Sequence, residues 1–264
     1  MGMERVNEGL PAAANDPPPS NAPRYPRSSG AGSRGTFGSY LTRVRRANRL
    51  SEALRATAAM AMQSLILLKV AVFCRGPSVG GFFVDRWRFL EHSMDQVRTS
   101  GDWCEFGVFQ GESLRFIAAH TPRPVHGFDA FEGLPDSWAG LERGAFSTGG
   151  RLPELPPNAV LHVGWFDATV PEYVRTKRPG PIAFAHIDCD LYESAVTVLR
   201  QIGPFLVPGT VLIFDELVGV FHNDEYSALV RELLDKHVRI EWVGFYLYPK
   251  WGVSACLRVV SGLT

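Results

Sequence analysis

The residues best equipped for chemistry stand in one run, Phe184–Ala195, FAHIDCDLYESA. A mostly apolar stretch, Phe184–Ile187, leads without a break into Asp188 and Asp190, with Tyr192, Glu193 and Ser194 behind them. A second acidic pair, Asp215 and Glu216, follows the apolar run TVLIF. Carboxylates placed directly after core-type segments mark where buried strands emerge. Four of them brought into one pocket repel one another and raise each other's pKa values. A hard divalent cation relieves that repulsion, and an all-oxygen set favours magnesium, calcium or manganese over zinc. A network of hydrogen-bonded carboxylates is the alternative. No His/Cys set with zinc spacing is present.

Other polar residues recur at the same kind of position. In EFGVFQGES, Gly107 and Gly111 allow a tight turn and a close approach to a ligand, ahead of a helix whose first amides are free. The spacing is not G-x-G-x-x-G, so the dinucleotide fingerprint is absent. Glu105 lies inside a strand-like run, where an unpaired carboxylate is costly to bury; holding a turn amide or a cationic ligand group would explain it. Asp129 comes 18 residues after Gly111, a distance that suits two ribose hydroxyls, unless it simply opens the loop AFEGLPDSW. In GWFDATVP, Trp165 or Phe166 can flank a flat ring and Asp167 can meet an amino group, or the segment is a plain turn. FHNDEY places His222 and Glu225 near the entrance of the same pocket, with His222 and Tyr192 as candidates for substrate contact, unless His222 is simply a solvent-facing loop histidine.

These groups need a scaffold that presents strand ends side by side. From Ser100 onward, short apolar runs alternate with helical stretches. DWCEFGVF, PVHGFDAF, AVLHVGWF, PIAFAHIDCD, GTVLIFDEL, RIEWVG and GVSACLRVV read as strands. GESLRFIAAH, VPEYVRTKR, YESAVTVLRQIGPFL and NDEYSALVRELLDKH read as helices after the first, third, fourth and fifth of them. Crossover helices imply a mostly parallel, doubly wound α/β sheet covered on both faces. The last two of its seven strands have no helix between them, so one antiparallel strand is expected at or near an edge. In such sheets ligands bind outside the carboxyl ends of the strands.

The region before Ser100 has a different character. Residues 1–38 are rich in Pro, Gly and Ser and are expected to be a disordered tail, unable to bury enough apolar surface to offset ordering. Residues 39–100 read as a helical extension, with one helix over 41–73 and another over Val84–Thr99. Ala56–Leu68 is its most apolar part but is shorter than the roughly 20 residues that span a bilayer. It reads as a packed helix at an oligomer interface, with no stable membrane insertion. The opening MGMERVNEGL lacks the apolar core of a signal peptide. With 27 basic and 27 acidic residues the formal net charge is zero, which argues against a general nucleic-acid binder, despite five arginines between Arg43 and Arg55. The four scattered cysteines read as buried free thiols, in keeping with a reducing, cytoplasmic setting.

As a set and in this order, EFGVFQGES, GFDAFEGLP, GWFDATVP, HIDCDLYES and GTVLIFDEL resemble the macrocin-type O-methyltransferases, over Val84–Val259. These are class I enzymes that use S-adenosylmethionine to methylate sugar hydroxyls of natural products. The resemblance implies a Rossmann-like methyltransferase domain over 101–264, preceded by a lid and dimer region, and a homodimer acting on a small-molecule hydroxyl. It also implies that Glu105, Gly107 and Gly111 lie along the methionine part of the cofactor and that Asp129 binds its ribose. Ser137 and the Trp165–Asp167 turn would surround the adenine. Asp188, Asp215 and Glu216 would hold magnesium, with Asp190 as general base. The family usually has two adjacent aspartates where this chain has Asp215–Glu216, which makes the metal less secure than the methyl transfer. Glycosyltransferases and haloacid-dehalogenase phosphatases also carry D-x-D after an apolar strand, but neither accounts for Glu105, the glycine turn and Asp129 together. A cofactor-binding protein without catalysis is the remaining alternative.

Overall fold

A computed structural model describes residues 61, 64–74, 80–177, 180–219, 222–247 and 252–263. All belong to one compact unit, Glu52–Thr264. The expected tail, the first part of the 41–73 helix and the arginine cluster lie outside the described residues.

The first described helix, α1 (64–73), buries Ile66 and Val70. A two-residue strand β1 (Phe82–Phe83) precedes α2 (Arg86–Met94), and β2 (Asp102–Phe106) with α3 (Glu112–His120) opens the alternating region. Then come β3 (Val125–Asp129), β4 (Ala159–Val163), α4 (Phe166–Lys177), β5 (Ile182–Ile187), α5 (Tyr192–Ile202), β6 (Leu206–Gly219), α6 (Asp224–Glu232), β7 (Arg239–Leu247) and β8 (Gly252–Ser261).

The strands form one sheet in the order β1-β7-β8-β6-β5-β2-β3-β4. Strands β6, β5, β2, β3 and β4 pair in parallel. β8 is antiparallel to both its neighbours, β6 and β7. The expected seven strands are all present and the last is the antiparallel one. It lies inside the sheet, because β7 pairs beyond it and β1 adds an eighth strand parallel to β7. One face is covered by α4, α5 and α6 over a core containing Phe106, Phe128, Leu199, Phe214 and Trp242. The other lies under α2 and α3, with Phe89, Leu90, Trp103, Leu114 and Phe184. β5 sits between two parallel neighbours and is buried at every position, which its sequence IAFAHI satisfies except at His186.

Three boundaries differ from the pattern reading. The helix expected over Val84–Thr99 is α2, which stops at Met94. α4 begins at Phe166, so Phe166 and Asp167 stand in a first helical turn where a strand end and a turn were expected. β6 does not end at Asp215 and Glu216 but runs on to Gly219. Its pairing with β8 moves from Phe214↔Ala255 to Val218↔Val253, four residues on β6 against two on β8. Asp215 and Glu216 therefore occupy a bulge, the device by which a strand re-aims side chains. All four cysteines are free, three of them buried, as expected. Among the described residues no helix is long and apolar enough to cross a membrane.

Candidate active site

A cavity of about 600 Å³ opens at the carboxyl ends of β2, β3, β5 and β6. It has the size of a small-molecule site. One side is built from the β2–α3 turn and the loop after β3. Gly107 has φ +97°, and a Cβ there would come within 1.9 Å of the Asp188 carbonyl oxygen. Only glycine fits this approach of two strand ends, and it leaves Val108, Phe109, Gln110 and the first turn of α3 along the cavity wall. Asp129 holds that wall in place. Its Oδ2 accepts from the amides of Val108 at 2.7 Å and Phe109 at 2.8 Å, and its Oδ1 accepts from Phe131 at 2.6 Å. Phe109 and Phe131 both have positive φ, 48° and 59°, so two unfavourable backbone geometries are held by one carboxylate. Trp165 and Phe166 line the same side, Phe166 edge-on to Phe106.

The opposite side is acidic. Asp188, Asp190, Asp215 and Glu216 all line the cavity. With a ring nitrogen of His186, their oxygens fall into two overlapping sets, Asp188–Asp190–Glu216 and His186–Asp188–Asp215, the atoms of each lying within 4.8 Å of one another. The three expected metal ligands are thus split: Asp215 turns toward His186, and Asp190 takes its place beside Asp188 and Glu216. Burial first, then the Asp215 charge, raises the Asp188 and Glu216 carboxyls well above their ordinary range. The same two causes push Asp190 up to about 7, helped by Asp129 and Asp224. Asp190 has φ +60°, a conformation that Asp tolerates better than most residues. Glu216 Oε2 is buried with no hydrogen-bond partner among the described residues. An oxygen-rich set with an orphaned carboxylate oxygen fits a hard divalent cation.

Three residues that support this acidic side were not assigned such a role from sequence. His186 is fully buried, with Nδ1 2.8 Å from Glu105 Oε1 and Nε2 3.4 Å from Asp215 Oδ1. Burial alone would lower its pKa, but the bonds to Asp215 and Glu105 outweigh it and raise it to about 10. Glu105 pairs with His186 across β2 and β5, and His186 with Ile213 across β5 and β6, so Asp215 two residues further along points to the same face. The available signal was a lone polar residue in each of two neighbouring buried strands. Glu225, expected near the pocket entrance, is instead fully buried, and accepts from the amides of Cys189 at 3.2 Å and Glu216 at 3.3 Å. It ties together the two turns that carry the carboxylates. Arg86, the first residue of α2, places its Nη2 3.2 Å from Asp215 Oδ1 and 3.7 Å from Asp188 Oδ2.

The other expected site residues stand back from the cavity. Glu105 is fully buried beneath it, on His186. Gly111, φ +75°, caps α3 and packs against Pro153 and Leu155. Ser137 and Asp167 are exposed and outside the lining, although Pro135, Trp138 and Trp165 beside them line it. Tyr192 accepts from Arg231 at 2.8 Å on the α5–α6 side. His222 lies behind the cavity-lining Trp138, ring centroids 4.7 Å apart.

Residues 104–217, the stretch from β2 to the β6 bulge, match the family model of a methyltransferase domain. Over this stretch the chain is similar to methyltransferase domains. A curated relative from Streptomyces olivaceus, 8-demethyl-8-(2,3-dimethoxy-alpha-L-rhamnosyl)-tetracenomycin-C 4'-O-methyltransferase, is 32% identical over 174 residues, 53% of this chain. The chain spans 64% of that relative's length. Among solved structures, the calicheamicin methyltransferase CalS11 superposes with TM-score 0.53 at 27% identity, covering 65% of this chain and 77% of that one. Its apo form, described as a TDP-rhamnose 3'-O-methyltransferase of calicheamicin biosynthesis, aligns at 28% identity over 65% and 78% of the two chains, TM-score 0.48. The mixed, mostly parallel sheet found here matches the fold of the first of these two structures.

Proposed function

We propose that this protein is an S-adenosylmethionine-dependent O-methyltransferase that methylates a sugar hydroxyl of a natural product or glycan with the help of a divalent cation, magnesium being the first choice. The observation that carries this reading is one cavity with two chemically different halves. A glycine turn, an amide-holding aspartate and aromatic rings face a half made of carboxylates. The match to a methyltransferase domain and the relative that methylates a rhamnosyl group support it.

In this reading Gly107 and the Val108–Gln110 backbone cradle the cofactor's amino-acid end, and Trp165 and Phe166 flank its adenine. Asp129 keeps the wall in register and, with lone pairs remaining on its oxygens, accepts from the ribose hydroxyls. S-adenosylmethionine supplies a methyl group on a sulfonium, and sulfur leaves as a neutral thioether. Asp188 and Glu216 would hold the cation, with Asp190 beside them, and it would supply Lewis acidity that lowers the pKa of a nearby hydroxyl. Asp190, poised near neutrality by burial and neighbouring charge, takes the proton as the acceptor oxygen attacks the methyl carbon. Aligning acceptor oxygen with methyl carbon is the protein's main contribution, since the cofactor carries the reactivity. His222 and Tyr192, outside the lining, would meet only the outer parts of a larger acceptor. A homodimer remains part of the reading, supported by α1, which buries Ile66 and Val70 while leaving Leu65, Leu68 and Val72 more than two-fifths exposed.

Isothermal titration with S-adenosylmethionine tests the assignment, with and without magnesium, on wild type and Asp129→Asn. Binding by wild type, weakened at least tenfold in the variant, is expected; it would be followed by a mass increment of one methyl on a rhamnosylated acceptor. Absence of binding to wild type sinks the proposal.

A further inference from the structure

We infer that Arg86 is a built-in cation of the acidic cluster, competing with a divalent ion for Asp188 and Asp215, so that the chain sets its own metal affinity through α2. This rests on the functional reading above for the identity of the carboxylates as metal ligands. It goes beyond that reading in assigning a residue outside the 104–217 match, on an element the motifs did not include.

The placement follows from topology. β1 is parallel to β7, and β7 and β6 are each antiparallel to β8, so β1 points the same way as β6. Its carboxyl end therefore lies on the same edge as those of β2, β5 and β6, and α2 starts two residues beyond it, after Val84 and Asp85. The first side chain of α2 is thus delivered to the rim of the cavity, which Arg86 lines. Its Nη2 is within ion-pair distance of one oxygen from each of the two carboxylate turns, 3.2 Å from Asp215 and 3.7 Å from Asp188.

Helix chemistry gives an independent reason to expect a job for this arginine. The N-terminus of a helix carries partial positive charge and favours acids. α2 has the ordinary Asp85 cap, bonded to the Arg88 amide at 2.8 Å, but no acid in its first turn and two arginines instead, Arg86 and Arg88. A cation there opposes the helix unless it is compensated elsewhere, and the Asp188–Asp215 pair compensates it.

The contact also divides the cluster. Asp215 Oδ1 is met by both Arg86 and His186, so its charge is answered from within the fold. Among the described residues Asp190 and Glu216 have no cationic partner, and Asp188 is the one residue shared between Arg86 and the Asp188–Asp190–Glu216 set. A divalent ion entering that set must take Asp188 from Arg86. Two cations that share a ligand repel each other, so removing the arginine charge should tighten ion binding. The side chain is a quarter exposed, which leaves it a path to swing away.

The test is calorimetric titration of manganese(II) into the full chain for wild type, Arg86→Gln and Arg86→Lys, with S-adenosylmethionine titrated into the same samples. The expected result is manganese binding at least tenfold tighter in Arg86→Gln than in wild type, with Arg86→Lys close to wild type and cofactor affinity equal in all three. Unchanged or weaker manganese binding in Arg86→Gln overturns the inference. So does equal tightening in Arg86→Lys, which would mean that bulk and not charge is responsible. Manganese binding by neither wild type nor Arg86→Gln also overturns it. Cofactor binding reports separately on the methyltransferase reading and on folding of the variants.

Discussion

In the proposed reaction the chemistry turns on Asp190. It follows β5 by three residues and has a positive φ, and its carboxyl is pushed up to about 7 by burial and the neighbouring Asp215. Asn tolerates the same backbone conformation, so Asp190→Asn should preserve the turn while removing the base. A loss of kcat on the order of 10²–10⁴-fold is expected for a general base. S-adenosylmethionine affinity should change little, because the hydrogen bonds that hold the opposite wall run from Asp129 and not from Asp190. Single-turnover rates with methyl-labelled cofactor, alongside calorimetry, check this; a variant that keeps wild-type kcat would move the base elsewhere. The carboxylates were legible in the sequence because each pair directly follows an apolar strand. Arg86, His186 and Glu225 were not, because what gives each its role is a partner 29 to 129 residues away. Glu105 was noticed as anomalous, but its partner was taken to be a turn amide or a ligand. Only the β2–β5 register reveals that it is His186.

The elements explain how charges that repel are kept together. The bulge in β6 turns Asp215 and Glu216 out of the sheet, and α6 sends Glu225 back to bind the amides of both carboxylate turns. A glutamine there has one acceptor oxygen where the carboxylate has two. Glu225→Gln should therefore leave one buried amide unsatisfied, at about 1–3 kcal/mol. A lower Tm is expected together with weaker manganese binding, while Asp129-dependent cofactor binding persists; unaltered manganese binding would count against the clamp. A second acid serves packing alone. Glu232 of α6, 2% exposed in its side chain, meets Arg200 of α5 at 3.0 Å and Lys236 at 2.5 Å. Burial raises its pKa, but those two cations outweigh burial and hold it below its ordinary value. A depressed folded pKa stabilises the protein above the unfolded value of about 4.3 and ceases to do so as pH falls through the folded one. Urea midpoints of Glu232→Gln should lie below wild type at neutral pH and converge with it in acid; a gap that persists in acid would contradict the ion-pair account. The alternation of strand and helix was readable throughout, since each segment has its own period. β1 was not, because two residues have no period, and the extension of β6 past its carboxylates was not, because a bulge breaks the alternation that marks a strand.

For the whole molecule, the cavity is where many separate elements depend on one another. Strand ends from β2, β3, β5 and β6 and the starts of α2, α3 and α4 all contribute to its lining. A ligand that contacts these segments only when they are assembled binds the folded chain and not the unfolded one. Such linkage adds about 2.7 kcal/mol of stability when free ligand is 100-fold above its Kd. In a domain of this size each kcal/mol moves Tm by about 2–4 °C, so saturating S-adenosylmethionine should raise Tm by roughly 5–10 °C. Asp129→Asn should lose most of that increment, because its amide nitrogen faces the Val108, Phe109 or Phe131 donors that the carboxylate accepts. Leu68→Glu, on the exposed face of α1 and remote from the lining, should keep it. Differential scanning calorimetry on the three proteins, with and without cofactor, distinguishes a ligand that binds in the Gly107–Asp129 wall from one that stabilises the fold elsewhere. A shift preserved in Asp129→Asn would place the cofactor outside that wall.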